Sequence, residues 1–372
     1  MNTPQPSELL DGIRQWVEIE SQTADTDGVN RVMSVVADGY AQAGAKVERI
    51  PGRDGFADHL SISTPWGGDE PGILVLCHLD TVHPRGTLET LPFRVEDDKA
   101  FGPGIYDMKG GAYLAYAAFR TLAEAGRTTP LPIRFLYLSD EEVGSPTSRA
   151  LIEAAGEGAK YVLVTEPARN GGKVVTGRKG TSRYVISTEG KPAHSGSQHQ
   201  AGRSAIREMA HQIVALEALT DYDRGLTFNV GCIEGGTTPN TIPQHCSVEL
   251  DVRMTKIEDA DEAHRIVTGL KPVDPDVSLT VTGQLNRPPY QKTPEIAALL
   301  ETAQGLAAEI GFELADTYTG GGSDGSFLAT KVPTLDGLGV DGSGAHTLNE
   351  HLYVSSLVPR MTLQRKLFET LQ

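Results

Sequence analysis

Histidines and carboxylates follow several apolar runs of this sequence at the point where each run ends. Five apolar residues, Ile73 to Cys77, lead into His78, and Asp80 lies two positions further on. Residues i and i+2 of an extended chain point to the same side, so this imidazole and this carboxylate would emerge together. The remaining residues of this kind follow a glycine-rich loop or further apolar runs: Asp107, Glu141, Glu142, Glu166 and His346.

This set of side chains needs a counter-charge. Buried carboxylates are costly unless they are paired, and Lys109 is the only basic residue within these segments. Imidazole nitrogens and carboxylate oxygens are zinc ligands, and two ions bridged by one carboxylate form a hydrolytic clamp. Any one of these acids, taken alone, would be interpreted as an ordinary solvated loop residue. Seven residues at matching topological positions favour a divalent metal site instead.

An α/β fold would position these residues. The apolar runs at 73–77, 133–138, 161–164 and 332–340 are typical of inner parallel strands, whose carboxyl ends carry the ligand sites of open α/β sheets. We therefore expect a catalytic domain with a mainly parallel sheet, formed by residues 1–177 and 287–372. Between them, residues 178–286 show the order β-α-β-β-α-β, which is typical of a ferredoxin-like α+β domain. We expect this segment to be an inserted lid or dimerisation domain.

Composition narrows the class of partner. The 372 residues carry a net charge of −16, which argues against nucleic acid and anionic membranes as partners. No run of 18 apolar residues is present, and Met1 to Leu10 lacks the pattern of a signal peptide. Three cysteines, Cys77, Cys232 and Cys246, are too few for a disulfide framework and suit a reducing compartment. We expect a cytoplasmic protein with a small-molecule or peptide substrate.

Five segments resemble the signature segments of the co-catalytic zinc exopeptidases, the family of glutamate carboxypeptidase, aminotripeptidase, aminoacylase and the desuccinylases. The resemblance spans about residues 7 to 370, including the inserted domain, and implies a zinc-exopeptidase-like catalytic fold. The segments are His78-Leu79-Asp80-Thr81-Val82, Asp107-Met108-Lys109-Gly110, Asp140-Glu141-Glu142, Thr165-Glu166-Pro167, and His346 with Asn349-Glu350.

The resemblance implies two Zn²⁺ ions per subunit, with Co²⁺ or Mn²⁺ as alternative metals. One ion would be held by His78 and Glu166. The other would be held by Glu142 and His346, and Asp107 would bridge the two.

Two further roles follow from the resemblance. Asp80 would orient His78, which is a recognised function of a carboxylate beside a ligating histidine. Glu141 would be the general base that takes a proton from the attacking water and returns it to the leaving amine. The peptide bond between Asp107 and Met108 is expected to be cis.

Within the family, the glutamate carboxypeptidase group is the most similar. The segments that carry this similarity are Pro84-Arg85-Gly86, Asp251-Val252-Arg253 and Gly320-Gly321-Gly322-Ser323-Asp324. The resemblance implies that Arg253 binds the substrate's α-carboxylate and that Lys173 reaches an anionic side chain, with Asn240 and Gly321 as further substrate contacts. On the residues alone, Arg253 also fits a surface ion pair on its own strand.

The resemblance further implies a homodimer formed through the inserted domain. His194 of each subunit would stabilise the tetrahedral oxyanion in its neighbour's site. The remaining histidines match no motif, and we interpret them as structural or surface residues: His59, His83, His199, His211, His245, His264 and His351.

Three functional hypotheses stand at this point. The first is a metal-dependent amide hydrolase that releases a C-terminal, Glu-like amino acid from an N-acyl or peptidyl substrate. The second is a di- or tripeptide aminopeptidase, or an N-acyl amino acid deacylase. The third is a non-catalytic metal- or peptide-binding relative, which the presence of Glu141 and of every expected ligand argues against.

Overall fold

The computed structural model describes residues 3–68 and 70–372, so the first two residues of the predicted catalytic domain and of the Met1–Leu10 segment lie outside the described residues. The helices are α1 (Pro6–Val17), α2 (Thr26–Gln42), α3 (Gly110–Glu124), α4 (Arg149–Gly156), α5 (Ala205–Glu217), α6 (Ile257–Thr268), α7 (Pro294–Ile310) and α8 (Leu357–Thr370).

The strands of the described residues lie between Lys46 and Tyr353. They are β1 (Lys46–Ile50), β2 (His59–Ser63), β3 (Gly72–His78), β4 (Arg94–Glu96), β5 (Lys99–Phe101), β6 (Ile133–Leu138), β7 (Ala159–Val164), β8 (Val174–Arg178), β9 (Gly180–Glu189), β10 (Thr227–Gly235), β11 (His245–Met254), β12 (Ser278–Arg287), β13 (Asp316–Thr319), β14 (Thr334–Leu335), β15 (Gly342–Ser343) and β16 (His351–Tyr353).

Two compact units make up the protein. The first comprises the chain up to Gly177 together with Gln291–Tyr318 and Ser323–Gln372, and the second comprises Arg178–Tyr290 and Thr319–Gly322. The sequence placed the return to the first domain at residue 287 and did not assign Thr319–Gly322 to the inserted segment.

A six-stranded sheet in the order β1-β2-β6-β3-β7-β14 organises the first unit. Strands β6, β3, β7 and β14 are parallel, and β2 joins them antiparallel at one side. Every residue of β3 is buried, and its alternate residues belong to different apolar clusters: Ile73 and Val75 to the larger, Leu74 and Leu76 to the smaller. The mainly parallel sheet expected from the apolar runs is thereby confirmed, with His78 at the end of its central strand.

Two glycines form the start of the helix that follows the glycine-rich loop. Helix α3 starts with Gly110 and Gly111, and a side chain at Gly111 would lie 2.1 Å from the carbonyl oxygen of Thr165. Glycine therefore lets the helix start pack against the chain leaving β7, where Glu166 lies. The strand predicted over residues 332–340 is shorter in the structure, where only Thr334–Leu335 pair as β14. The chain then turns through Gly337, which has φ 72°.

The second unit is an antiparallel sheet in the order β10-β11-β9-β12, with the chain order β9-α5-β10-β11-α6-β12. Strand β11 alternates as predicted, with Cys246, Val248, Leu250 and Val252 buried against α5 and α6. The β-α-β-β-α-β order expected from the sequence is confirmed. Within the described ranges of the chain, no helix combines the length and apolar composition needed to cross a bilayer.

Candidate metal centre

His78 ends β3 with its ring held by the chain just beyond it. Its Nδ1 lies 3.0 Å from the carbonyl oxygen of Asp80, and a carbonyl can only accept, so Nδ1 carries the hydrogen. Nε2 points to two carboxylates, 3.4 Å from Asp107 Oδ1 and 3.5 Å from Glu166 Oε1. These three buried groups come within the reach of a single metal ion.

Asp107 faces a second pair of ligand-type residues with its other oxygen. Its Oδ2 lies 3.6 Å from His346 Nε2, which is in turn 3.3 Å from Glu142 Oε2. One carboxylate thus stands between two imidazole–carboxylate pairs, the arrangement that the resemblance implied. The peptide bond between Asp107 and Met108 is cis, as expected.

The carboxylates of this cluster have pKa values shifted from their ordinary range. Burial raises the pKa of Glu142 to about 8, and burial together with the charge of Asp107 raises the pKa of Glu166. For Asp107 burial acts in the same direction, but His78 and Arg169 outweigh it and lower the pKa to about 2. The charges of the cluster depend on one another, as in a site where a cation replaces protons.

The pKa values of the two imidazoles, His78 and His346, are both raised. Burial alone would lower the pKa of His78, but the surrounding carboxylates raise it well above its ordinary value. The hydrogen bond with Glu142 raises the pKa of His346 to about 9. The carboxylates therefore favour a positive charge on both rings.

Asp80 lies beneath the cluster and is fully buried. Its Oδ1 lies 3.4 Å from His78 Nδ1 and accepts the backbone N–H of Glu141, and its Oδ2 accepts the backbone N–H of Glu142. The hydroxyl of Thr23 donates to the same Oδ2 at 2.7 Å. Asp80 therefore positions the Glu141–Glu142 turn as well as His78, and Thr23 is a contributor that no motif indicated.

The donor set fits divalent metal ions. Among the described residues, His78 Nε2 and Glu142 Oε1 are buried atoms without a hydrogen-bond partner, and both belong to residues of the cluster around Asp107. Buried polar atoms normally have partners, so two unpartnered atoms in one acidic cluster fit a site that binds a cation. Nitrogen and carboxylate oxygen ligands with a bridging carboxylate suit Zn²⁺ and similar ions.

The basic residue at the cluster differs from the one that the sequence indicated. Lys109 turns away, and its Nζ donates to the carbonyl oxygen of Ile19 at 2.7 Å. Arg169 lies at the cluster instead, with Nη2 3.7 Å from Glu166 Oε2. The interpretation of Lys109 as the only basic residue among the carboxylates is therefore wrong, since folding brings in Arg169 from a turn that carries no signature.

Lys173 lies opposite Arg169 across that turn. The two backbones exchange hydrogen bonds of 2.9 and 2.8 Å around a tip with positive φ at Asn170, Gly171 and Gly172. Residues paired in this way point to the same face, so the turn presents two cationic side chains together.

The remaining predicted residues belong to the inserted unit. His194 is exposed, and its Nδ1 accepts the backbone N–H groups of Gly196 and Ser197, which leaves Nε2 to carry the hydrogen in the neutral ring. The backbone N–H of Ser195 donates to the carbonyl oxygen of Asn240. His194 and Asn240 are thus on neighbouring loops of one unit.

Arg253 forms an ion pair on its own strand, which is the alternative that the sequence left open. Its guanidinium binds Asp251 through two contacts of 2.6 and 3.0 Å, and its Nη1 lies 3.4 Å from the carbonyl oxygen of Gly320. The fully buried Arg178 donates to the carbonyl oxygen of Gly321 at 3.0 Å.

A third arginine of the inserted unit approaches the same segment. The Cδ atom of Arg287 would lie 2.6 Å from a side chain placed at Gly322. Three arginines therefore gather around Gly320–Gly322. Of the three, only Arg253 was singled out in the sequence, as a residue for carboxylate binding, and no motif indicated Arg178 or Arg287.

The chain is similar to known metallopeptidases in both sequence and structure. The profile of peptidase family M20/M25/M40 matches residues 74–370. Carboxypeptidase G2 of Pseudomonas sp. (strain RS-16) is 29% identical over 365 residues, covering 96% of this chain and 88% of that protein. Succinyl-diaminopimelate desuccinylase of Delftia acidovorans is 28% identical over 399 residues, covering 98% of both chains. The structure of an M20 family metallo-carboxypeptidase of Sulfolobus solfataricus superimposes with a TM-score of 0.77 at 16% identity, covering 97% of this chain and 98% of that one.

Proposed function

Because this chain belongs to peptidase family M20/M25/M40, and is therefore a hydrolase of the metallopeptidase type, we propose that it releases a C-terminal acidic amino acid from an N-acyl or peptidyl substrate. The observation that carries the metal-dependent part of this proposal is Asp107, whose two oxygens face separate imidazole–carboxylate pairs.

The proposal assigns two divalent ions, Zn²⁺ above all, to this cluster. His78 and Glu166 would hold one ion, His346 and Glu142 the other, and Asp107 would contact both. When bound, such ions polarise the scissile carbonyl and make water a good nucleophile at neutral pH.

Glu141 provides the proton transfer in this proposal. It adjoins the ligand Glu142, its backbone is fixed by Asp80, and it is partly exposed, so solvent and substrate can reach it. Glu141 takes the proton from the attacking water and returns it to the nitrogen of the leaving amine, which completes hydrolysis. Proton transfer by a positioned carboxylate contributes about 10²–10⁴-fold to the rate.

Carboxylate recognition is assigned to Arg253. In a protein with a net charge of −16, the grouping of Arg178, Arg253 and Arg287 around Gly320–Gly322 supports an anionic ligand for this part of the chain. A guanidinium binds a carboxylate through two parallel hydrogen bonds, a geometry that suits the free carboxyl end of a substrate. Lys173 is assigned to the anionic side chain of the leaving amino acid.

A homodimer formed through the inserted unit is part of the proposal. The hydrogen that Nε2 of His194 carries makes this exposed ring a donor, as the stabilisation of an oxyanion in the neighbouring subunit would require.

One experiment tests the central claim. A panel of N-acyl amino acids is offered to protein that has been depleted of metal with a chelator, verified as metal-free, and then reconstituted with Zn²⁺ or Co²⁺. We expect depletion to abolish release of the C-terminal amino acid and reconstitution to restore it, with acidic leaving groups preferred. Full activity in the verified metal-free sample would contradict the proposal.

The second candidate function is deacylation in the manner of a desuccinylase, favoured by the 28% identity to succinyl-diaminopimelate desuccinylase over nearly the whole chain. The same panel separates the two candidates. A desuccinylase would discriminate between acyl groups and require a succinyl moiety. The proposed carboxypeptidase would tolerate different acyl groups and discriminate between the amino acids that leave.

A further inference from the structure

Glu350 is a buried carboxylate with four hydrogen-bond partners and no place in the chemistry described above. Its side chain is 1% exposed. Oε1 accepts the backbone N–H groups of Tyr106 and Asp107, both at 2.9 Å. Oε2 accepts the backbone N–H of Gly104 at 3.0 Å and contacts His83 Nε2 at 2.5 Å.

These partners belong to different loops of the candidate metal centre. His83 follows His78 by five residues, the Gly104–Asp107 segment carries the residue that would bridge the ions, and Glu350 follows His346 by four residues. One carboxylate therefore connects the three chain segments that carry His78, Asp107 and His346.

Both ends of this connection are fixed by the fold. Directly after Glu350, His351 pairs with Phe101 in the sheet formed by β16 and β5. At the other end, Gly104 has φ 69°, and a side chain there would lie 2.4 Å from Thr81 Cγ2. Gly104 is therefore packed directly against Thr81, and a side chain at this position would displace the start of the loop that ends in Asp107.

We propose that Glu350 is a positioning residue, which aims the Asp107 carboxylate at both metal positions by binding the backbone that carries it. The proposal rests on the metal-dependent function above. It assigns to His83, which matched no motif, the role of holding Glu350 Oε2 in place. Partners that orient a ligand from behind typically contribute 10- to 100-fold to metal affinity.

Glu350→Gln is the informative change, because it preserves shape but replaces one oxygen with an NH₂ group, which cannot accept the backbone N–H that each carboxylate oxygen receives. We expect the affinity for the metal ions to fall by about 10- to 100-fold, measured by competition with a chromophoric chelator. The absorption spectrum of the Co²⁺-loaded protein should also change, because the coordination geometry at Asp107 changes. A contribution of negative charge alone would leave that spectrum unaltered.

Glu208→Gln is the matched control. Glu208 is 2% exposed, lies in the inserted unit, and accepts the backbone N–H groups of Val273 and Asp274 and the side-chain N–H of Gln212. This variant should lose thermal stability and retain the metal affinity and Co²⁺ spectrum of the parent. Equal loss of metal affinity in the two variants would reduce Glu350 to a general stabilising residue and overturn the proposal.

His83→Gln keeps the proposal testable if Glu350→Gln does not fold. It removes one of the four contacts, so we expect a weaker effect of the same kind, with several-fold lower metal affinity and an altered Co²⁺ spectrum. Parent affinity and spectrum in this variant, or in a folded Glu350→Gln protein, would refute the proposal. Metal binding is measured without substrate, so a parent that binds metal but hydrolyses no amide would contradict only the proposed function.

Discussion

The replacement of Arg253 by lysine separates the two interpretations of this residue. Arg253 and Asp251 are 31% and 30% exposed, so their ion pair is partly solvated and should contribute at most about 1 kcal/mol to stability. A bidentate bond to a substrate carboxylate contributes about 1.5–3 kcal/mol, and lysine cannot reproduce its geometry. The two interpretations therefore predict effects in different measurements.

If Arg253 binds the substrate, Arg253→Lys should lower kcat/KM by roughly 10- to 150-fold, since each 1.4 kcal/mol is tenfold. The free energy of unfolding should change by less than about 1 kcal/mol. The assay compares an N-acyl amino acid with the same compound amidated at its carboxyl end. The parent should prefer the free acid by a similar factor, and the variant should lose that preference.

The control variant is Arg183→Lys. Arg183 is exposed on β9, and its backbone is paired with Asp251 in the register of the sheet. It is therefore an arginine on the adjacent strand to which no role is assigned. It should keep the parent's preference for the free acid. Equal hydrolysis of acid and amide by the parent would refute the reasoning, and Arg253 would then be only the ion-pair partner of Asp251.

Three further changes test other parts of the site. Glu141→Gln should retain bound metal, measured by elemental analysis. Its kcat should fall by at least about 10²–10⁴-fold, because proton transfer is removed. A rate within a few-fold of the parent would exclude Glu141 as the base. Mixing inactive His194→Ala and Glu141→Gln protomers should restore part of the activity if His194 serves the neighbouring subunit, whereas a His199→Ala protein should be active alone. No recovery despite demonstrated subunit exchange would place His194 outside the neighbour's site. Thr23→Val should lower the free energy of unfolding in urea by about 1.5–3 kcal/mol, because it removes a buried hydrogen bond to the Asp80 carboxylate. A change under about 0.5 kcal/mol, as at an exposed site, would show that this bond is unimportant.

The sequence by itself determined the residues that could bind metal and the strand that presents His78. The apolar run at 73–77 indicated a strand buried on both faces, and His78 and Asp80 followed it at a spacing that extended backbone places on one side. The strands of the inserted unit could also be predicted from the sequence, because the alternation of apolar and polar residues along β11 depends only on which face is buried. These features are local, so the order of residues along the chain is sufficient to predict them.

The tertiary structure alone decided which groups support those candidate metal-binding residues. Thr23 and Asp80 are 57 residues apart, and His83 and Glu350 are 267 residues apart, yet each pair shares a hydrogen bond. The direction of a long side chain was equally hidden, since Lys109 lies two residues from Asp107 but binds the backbone of Ile19. Such partners depend on how loops from distant parts of the chain close against one another, and local periodicity carries no information about that closure.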